Sequence, residues 1–363
     1  MDLSHTPQSA AQYQRLRLQA GIAGIGLILL FLWIGTALGM ANLTKVLTHW
    51  PTPLAFAAVA CVLGLIASAI QFPIDLFAMN VEARYGQYTD RKMVSGEYFA
   101  KAAEWVVGLT VAGAVLGLVV MQFHSNWYWV AGIAMVALGG LHVAYPVLPA
   151  KRAQGDRLPD KIWVEQLKVE LQKLGLTLPR LTWIDHGERS LGGGWHGVGS
   201  LRTLMLTRSL RQLEPAVAAM LVAREIGHNR LHHQIQSFAV TSAWIVAGIF
   251  LTRLFVPGDL LVTNAPALVV YVATVMSTWC WLGLFCLPAM GRRQILAADL
   301  FAARVTGSRE RSLEMLAALS EYNLPDESLP PTVAWVFHPI PPMEKRRSAI
   351  ESHFSPSGEF KGA

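Results

Sequence analysis

The sequence predicts a mainly α-helical, multi-pass membrane protein with about six transmembrane helices and one α+β domain outside the bilayer. Of its 363 residues, 53% are apolar and only 15% are charged, and the mean hydropathy is +0.38. A soluble domain carries more charge, since about a quarter of its residues are charged. Five long segments without a charged residue, separated by hydrophilic blocks, complete the prediction.

The charge-free segments are long enough to span a membrane, because a spanning helix needs about 20 apolar residues. The third segment has roughly twice that length. It is interrupted by the polar triplet His124-Ser125-Asn126, which predicts a tight turn, so the five segments predict six spans. They run from Leu18 to Thr44, Pro53 to Ile74, Trp105 to Ala150, Gln234 to Thr252 and Leu260 to Gly291.

The basic residues predict the orientation, because short cytoplasmic loops carry an excess of Lys and Arg. The loops on the other side contain only Lys45 and the flanking Arg253. We therefore expect both termini and the hydrophilic blocks in the cytoplasm, and a bacterial inner membrane as the location. The basic residues on the cytoplasmic side are Arg15, Arg17, Arg84, Arg91, Lys92 and Lys101.

The net charge of +6 is explained by these residues beside the membrane. Membrane lipids are therefore the expected partners. No nucleic-acid-binding motif is present, so the charge predicts no nucleic-acid partner.

The chain divides into four parts. Residues 1–150 hold four spans with short loops, and residues 234–291 hold two more. The hydrophilic parts, 151–233 and 292–363, together reach about 155 residues, enough to enclose one core, and we expect them to fold as one domain. In the first of them, "RLTWID" and "RTLMLT" predict two strands in a hairpin-like arrangement around the glycine-rich "LGGGWHGVGS".

A helix beginning at Pro215 carries the segment "REIGHNRLHH". Its spacing is that of the zinc motif HExxH, in which two histidines four residues apart bind the metal and the glutamate activates a metal-bound water. Glu225 and His228 occupy the second and last positions of this motif. The first position, however, is Arg224.

Several segments, in this order, resemble the membrane zinc metallopeptidases of the type-1 CAAX prenyl protease and HtpX heat-shock protease group. The resemblance covers most of the chain and implies a gluzincin-like α+β metallopeptidase domain on a membrane-embedded frame. The segments are "FPIDLFAMNVEARYGQYTDRK", "GLTLPRLTWIDHGERS", "REIGHNRLHH", "RRQILAADLFAAR" and "FHPIPPMEKR".

The resemblance also implies the roles of single residues. The family's three zinc ligands fall on Arg224, His228 and Ile295, so His228 is the only one retained. A guanidinium has no free lone pair and isoleucine has no donor atom, whereas zinc in such a site needs three protein ligands. Glu225 and His338 occupy family catalytic positions.

Two further features concern the residues around the site. Asp299 matches a family aspartate that supports the ligands, and Arg224 is expected to neutralise it together with Glu225. Glu225 is expected to pair with Arg224 or Arg230. The strand motif that would hold a peptide in the family falls on Gly194-Trp195-His196.

The sequence therefore predicts a pseudopeptidase that binds no cofactor and recognises a peptide or a membrane-protein partner without cleaving it. The alternative is an active membrane metalloendopeptidase with a non-standard zinc site. Glu225, His228 and His232 have the spacing to share one helical face, and His338 or His196 would complete such a site.

Overall fold

The fold was analysed on a computed structural model, which describes residues 7–85, 91–144, 161–184, 191–197, 202–323 and 331–354. Residues 145–160, which contain the expected boundary between spans and domain, and residues 185–190, which end the "GLTLPRLTWIDHGERS" segment, lie outside these ranges.

Five described stretches have the length and hydropathy of membrane spans: Ala11–Ala37, Thr52–Arg84, Tyr98–Leu141, His233–Phe255 and Ala265–Gly283. The third is 44 residues long and consists of two helices joined by a 3₁₀ turn at His124–Asn126. The predicted turn is therefore present, and the five stretches contain six helices. They are α1 (Pro7–Ala37), α3 (Thr52–Arg84), α4 (Arg91–Phe123), α5 (Trp127–Ala144), α8 (His233–Phe255) and α10 (Leu268–Gly283), with the short α2 (Met40–Leu43) after α1.

Small residues let α3 and α4 approach closely. A methyl group at Gly113 would lie 2.6 Å from the Cβ of Ala60, and one at Gly117 would lie 2.7 Å from the Cα of Pro53. Glycine at such points is typical of helix packing in membranes, where contact between backbones replaces the hydrophobic effect.

The last predicted span is shorter than expected. Its charge-free segment contains α9 (Leu260–Thr263), a 3₁₀ turn, α10 and the first residues of α11 (Leu287–Thr306). Charge-free residues alone do not fix the ends of a helix, and Pro266 and Pro288, each at the start of a new turn, divide this segment. As a result, α11 runs without interruption from the membrane border into the hydrophilic domain.

The hydrophilic domain contains a small sheet, β1 (Leu181–Ile184), β2 (Gly193–His196) and β3 (Thr203–Thr207), in the order β1-β3-β2. The predicted hairpin of "RLTWID" and "RTLMLT" is wrong, because β1 and β3 pair in parallel. The glycine-rich segment between them forms β2, which pairs antiparallel with β3. The intervening chain thus returns as a strand of its own.

The remaining domain helices are α6 (Lys161–Lys173), α7 (Pro215–Arg230), α12 (Arg309–Asn323), α13 (Pro331–Phe337) and α14 (Met343–Ser352). Both hydrophilic blocks share one apolar core. Leu167 of α6 and Leu204 of β3 belong to the same buried cluster as Met315 of α12 and Ile350 of α14. The two blocks therefore fold as one unit although two membrane helices separate them in the sequence.

Candidate functional site

The site is built on two helices, α7 and α11, that pack against each other through alanines. Ala218 and Ala223 of α7 and Ala298 and Ala302 of α11 are fully buried. Side chains this small allow a close helix contact, so the larger polar residues beside them are drawn into the core. Glu225 and Asp299 are consequently 6% and 1% exposed.

Arg224 forms the centre of a buried ion network. Its Nη1 donates to Glu225 Oε1 at 2.5 Å, and its Nε donates to Asp299 Oδ1 at 2.9 Å. Arg346 of α14 binds the same carboxylate through two nitrogens, Nε to Oδ2 at 2.7 Å and Nη2 to Oδ1 at 2.9 Å. Two guanidinium groups therefore balance two carboxylates, and all four side chains are largely or fully buried.

The charges in this network depend on one another. Burial by itself would lower the pKa of Arg224, but attraction to Glu225 and Asp299 raises it above the ordinary value. Burial raises the pKa of Glu225, and Arg224 only partly opposes that effect. Arg224 is thus a permanent cation at the position where the family has its first zinc ligand, and it is already bound by carboxylates.

His228 pairs with His233, the histidine five residues further along the chain, which matches a histidine of the family motif. Its Nδ1 lies 2.9 Å from Nδ1 of His233, the first residue of α8. Burial, with smaller contributions from Arg224 and His233, lowers the pKa of His228 to about 3. His228 is therefore a neutral imidazole near pH 7.

His232 does not share the face of Glu225 and His228. Helix α7 ends at Arg230, and His232 adopts a left-handed conformation, with φ 56°, in the corner before α8. Its side chain is exposed. The expectation of a shared helical face failed because it assumed that the helix continues to His232.

The other predicted positions lie around the network. Ile295 is half-buried on α11, one turn before Asp299. His338 follows α13, and its carbonyl oxygen accepts a hydrogen bond from Arg292 Nη1 at 2.7 Å. His196 ends β2.

These residues do not fit a zinc ion. Arg224 and Ile295 offer no lone pair, and the carboxylates nearest to His228 are engaged by guanidinium groups. Within the described ranges, no group of three or more His, Cys, Asp or Glu side chains has a metal-binding arrangement.

Strand β2 lies directly against Glu225. Trp195 Nε1 donates to the backbone oxygen of Glu225 at 2.7 Å. A methyl group at Gly193 would lie 3.1 Å from Cγ of Glu225 and 2.8 Å from Cδ2 of Leu206, so only glycine fits there. The sheet edge and Glu225 are thus held together.

Three contributors were not predicted. Arg346 ends the quoted segment "FHPIPPMEKR", which gave it no role, although its charge complements Asp299. His233 matches a histidine of the family motif, but the resemblance gave it no role. Gln234 donates to the backbone oxygen of Trp195 at 3.4 Å, and no sequence signal indicated this contact.

Residues 194–353 match the family model described as Peptidase family M48. The peptidase-like part of the chain is thus similar to peptidase family M48. The matched segment contains α7 with Arg224 and Glu225, α11 with Ile295 and Asp299, and α14 with Arg346.

The structure is similar to a solved structure described as "Crystal Structure of S. mikatae Ste24p", with a TM-score of 0.75 and 13% sequence identity. The alignment covers 96% of this chain and 93% of the other. The predicted family and the predicted fold, a multi-pass membrane protein with a peptidase domain, are therefore confirmed. A search of curated protein sequences gives no match.

Proposed function

We propose that this M48 protein is a pseudopeptidase that binds a peptide or a membrane-protein partner without hydrolysing it. The observation that carries the proposal is the Arg224 network. A cation fixed by Glu225 and Asp299 takes the electrostatic place of a metal but offers no coordination position for water.

The network also affects Glu225 as a base. A general base must reach the proton that it removes. The Oε1 atom of Glu225 instead accepts a 2.5 Å hydrogen bond from Arg224, and the carboxylate is buried. Glu225 is thus a structural anion in the proposed function.

A binding role is supported by the outer edge of β2, which no other described strand covers. The amide of Thr207 donates to the carbonyl of Gly192, so these residues form a hydrogen-bonded pair. Since such pairs alternate along antiparallel strands, Gly193 and Trp195 turn their backbone groups away from β3. An extended peptide could add to this edge beside Glu225.

The orientation is also proposed: the termini and the peptidase-like domain face the cytoplasm, in a bacterial inner membrane. Cysteines introduced at Asp259 and Lys168, both exposed, test it. A membrane-impermeant maleimide added outside should label Asp259→Cys and not Lys168→Cys. The reverse pattern would refute the orientation.

Metal content and proteolysis test the pseudopeptidase assignment. Protein purified from zinc-supplemented cells should contain well under one zinc per chain and should not cleave a prenylated peptide. The matched control is Glu225→Gln, which should behave as wild type. Stoichiometric zinc, with cleavage abolished both by a chelator and by Glu225→Gln, would establish the active alternative.

A further inference from the structure

The membrane part of the chain encloses a cavity of about 970 Å³ between α1, α3, α4, α5, α8 and α10. None of its described lining residues belongs to α7, β2 or α11, so it is separate from the Arg224 network and independent of the proposed function. Its walls are mainly apolar. Examples are Phe31, Leu63, Val119, Trp127, Val272 and Met276.

The two ends of the cavity differ. Thr252, near the end of α8, and Trp127, the first residue of α5, line one end, and both are buried. Gln71, Asp75 and Tyr98 line the other end, where α3 leaves the bilayer and α4 enters it. Because the charge-free part of α3 ends at Ile74, Asp75 lies at the expected border between hydrocarbon and headgroups.

The polar end contains groups of both signs. Asp75 Oδ1 accepts a hydrogen bond from Gln71 Nε2 at 3.0 Å, so this bond comes from a neutral amide. Tyr98 Oη donates to the backbone oxygen of Ser68 at 3.2 Å, one turn before Pro73. Lys101 of α4 brings an ammonium group to the same end. At the border of the bilayer this carboxylate is at the depth of lipid headgroups, where it can attract a cationic group.

We propose that the cavity binds one membrane lipid with a zwitterionic head of the phosphoethanolamine kind. The ammonium of the head lies at Asp75 and its phosphate at Lys101, while the acyl chain extends along the apolar walls towards Trp127. Water is a poor occupant of walls of this kind. The lipid stands parallel to those of the surrounding bilayer, with its head at the same depth, so its entry costs little reorientation.

Native mass spectrometry of the full chain in detergent tests the site with three probes that share one acyl chain: lysophosphatidylethanolamine, lysophosphatidylcholine and lysophosphatidylglycerol. We expect one tightly bound ethanolamine lipid per chain. The choline lipid, which lacks N–H donors, should bind about tenfold more weakly, the equivalent of about 1.4 kcal/mol. Equal binding of all three heads would overturn the proposal.

Two neighbouring residues of α4 provide matched variants. Ala112 lines the cavity, whereas Val111 is 52% exposed towards the lipid and does not line it. Ala112→Trp should place an indole in the path of the acyl chain and abolish the bound lipid, and Val111→Trp should retain it. Equal retention in both would identify the lipid as part of the surrounding shell and refute the site. If Ala112→Trp does not fold, Ala134→Trp, with Ile133→Trp as its control, makes the same distinction on α5.

A third variant tests the head group. Asp75→Leu keeps the approximate size of the side chain but removes both carboxylate oxygens, which would accept hydrogen bonds from the N–H groups of the head. Binding should persist while the preference for ethanolamine over choline disappears. An unchanged preference would place the ammonium elsewhere and contradict the proposed orientation.

Discussion

The α7–α11 site and the cavity between the spans are both parts of one membrane fold, but they differ in how the charges of their carboxylates are balanced. At α7–α11, two carboxylates and two guanidinium groups satisfy one another inside the core. In the cavity, Asp75 accepts a hydrogen bond from a neutral amide beside a large apolar space. The first region thus balances its carboxylates with cations of the chain itself, whereas the carboxylate of the second is available to the proposed ligand.

The comparison predicts the largest effect for the carboxylate that both guanidinium groups share. Asp299→Asn keeps the volume but leaves Arg224 and Arg346 without a shared anion. Removing one partner of a buried ion pair costs about 3–5 kcal/mol. We expect a corresponding loss of stability, measured by thermal unfolding of the purified protein in detergent.

An exposed ion pair of the same domain provides the control. Arg309 and Glu351 lie 2.9 Å apart, with side chains 43% and 37% exposed. Glu351→Gln should cost at most about 1 kcal/mol, because exposed pairs are screened by water. If both variants unfold at the same temperature, the network does not stabilise the domain.

The second prediction concerns restoring the family's zinc ligands at positions 224 and 295. Arg224→His with Ile295→Glu would supply two imidazoles four residues apart and a carboxylate from α11, the ligand set that the family resemblance implies. Zinc should rise from well under one to about one per chain, as expected for a site with three protein ligands. Metal analysis of the purified protein measures the zinc content per chain.

The single variants sharpen this test. Ile295→Glu alone should form an ion pair with Arg224, and Arg224→His alone lacks the third ligand. Both should bind much less zinc than the double variant. A folded double variant with no more zinc than wild type would show that the residue alignment is wrong or that the space between α7 and α11 has closed.

The sequence predicted well what depends on local composition. The charge-free segments and the His124 turn predicted the membrane helices, because a membrane helix is identified by the hydropathy of its own residues. It also predicted Arg224 as a counter-ion of Glu225 and Asp299, since buried charges need balance. The structure has both ion pairs.

Features that depend on distant contacts were not predictable in this way. Arg346 binds Asp299 across 47 residues of sequence, and the parallel pairing of β1 with β3 depends on a strand formed by the glycine-rich segment. His233 lies at His228 because α7 ends at Arg230. Helix ends and strand partners are set by tertiary packing, which a single sequence does not reveal.

The third prediction concerns pH. The pKa of His228 falls from 6.5 to about 3 on folding, so the unfolded chain binds more protons between these values. The stability that neutral His228 contributes is present above pH 6.5 and is lost as the pH falls towards 3, with a slope of up to about 1.4 kcal/mol per pH unit.

His228→Gln should remove this part of the pH dependence. Unfolding temperatures of wild type and variant, measured from pH 7.5 downwards, should therefore converge or cross at low pH. A constant difference across the range would show that His228 is not buried as a neutral group.

The smallest expected effect concerns the edge of β2, where the α7–α11 site meets the membrane helices. Gln234 of α8 contacts the carbonyl of Trp195 and is itself held by Arg202, whose Nη2 donates to Gln234 Oε1 at 3.0 Å. The contact to Trp195 is long, at 3.4 Å, so Gln234→Ala should cost little stability.

The Gln234→Ala variant also frees the carbonyl of Trp195, an acceptor on the edge that an added peptide strand would use. If the edge binds peptides, affinity should rise about two- to fivefold, the gain expected from one additional hydrogen bond. Fluorescence anisotropy with a labelled peptide of alternating valine and threonine measures this affinity. An N-methylated form of the same peptide, which cannot donate backbone hydrogen bonds, should not bind.

Gln236→Ala is the matched control, because Gln236 donates to Leu231, whose carbonyl is not on the strand. Equal affinities in the two variants would mean that peptides do not bind at β2, and the proposed partner would then have to be sought at another surface.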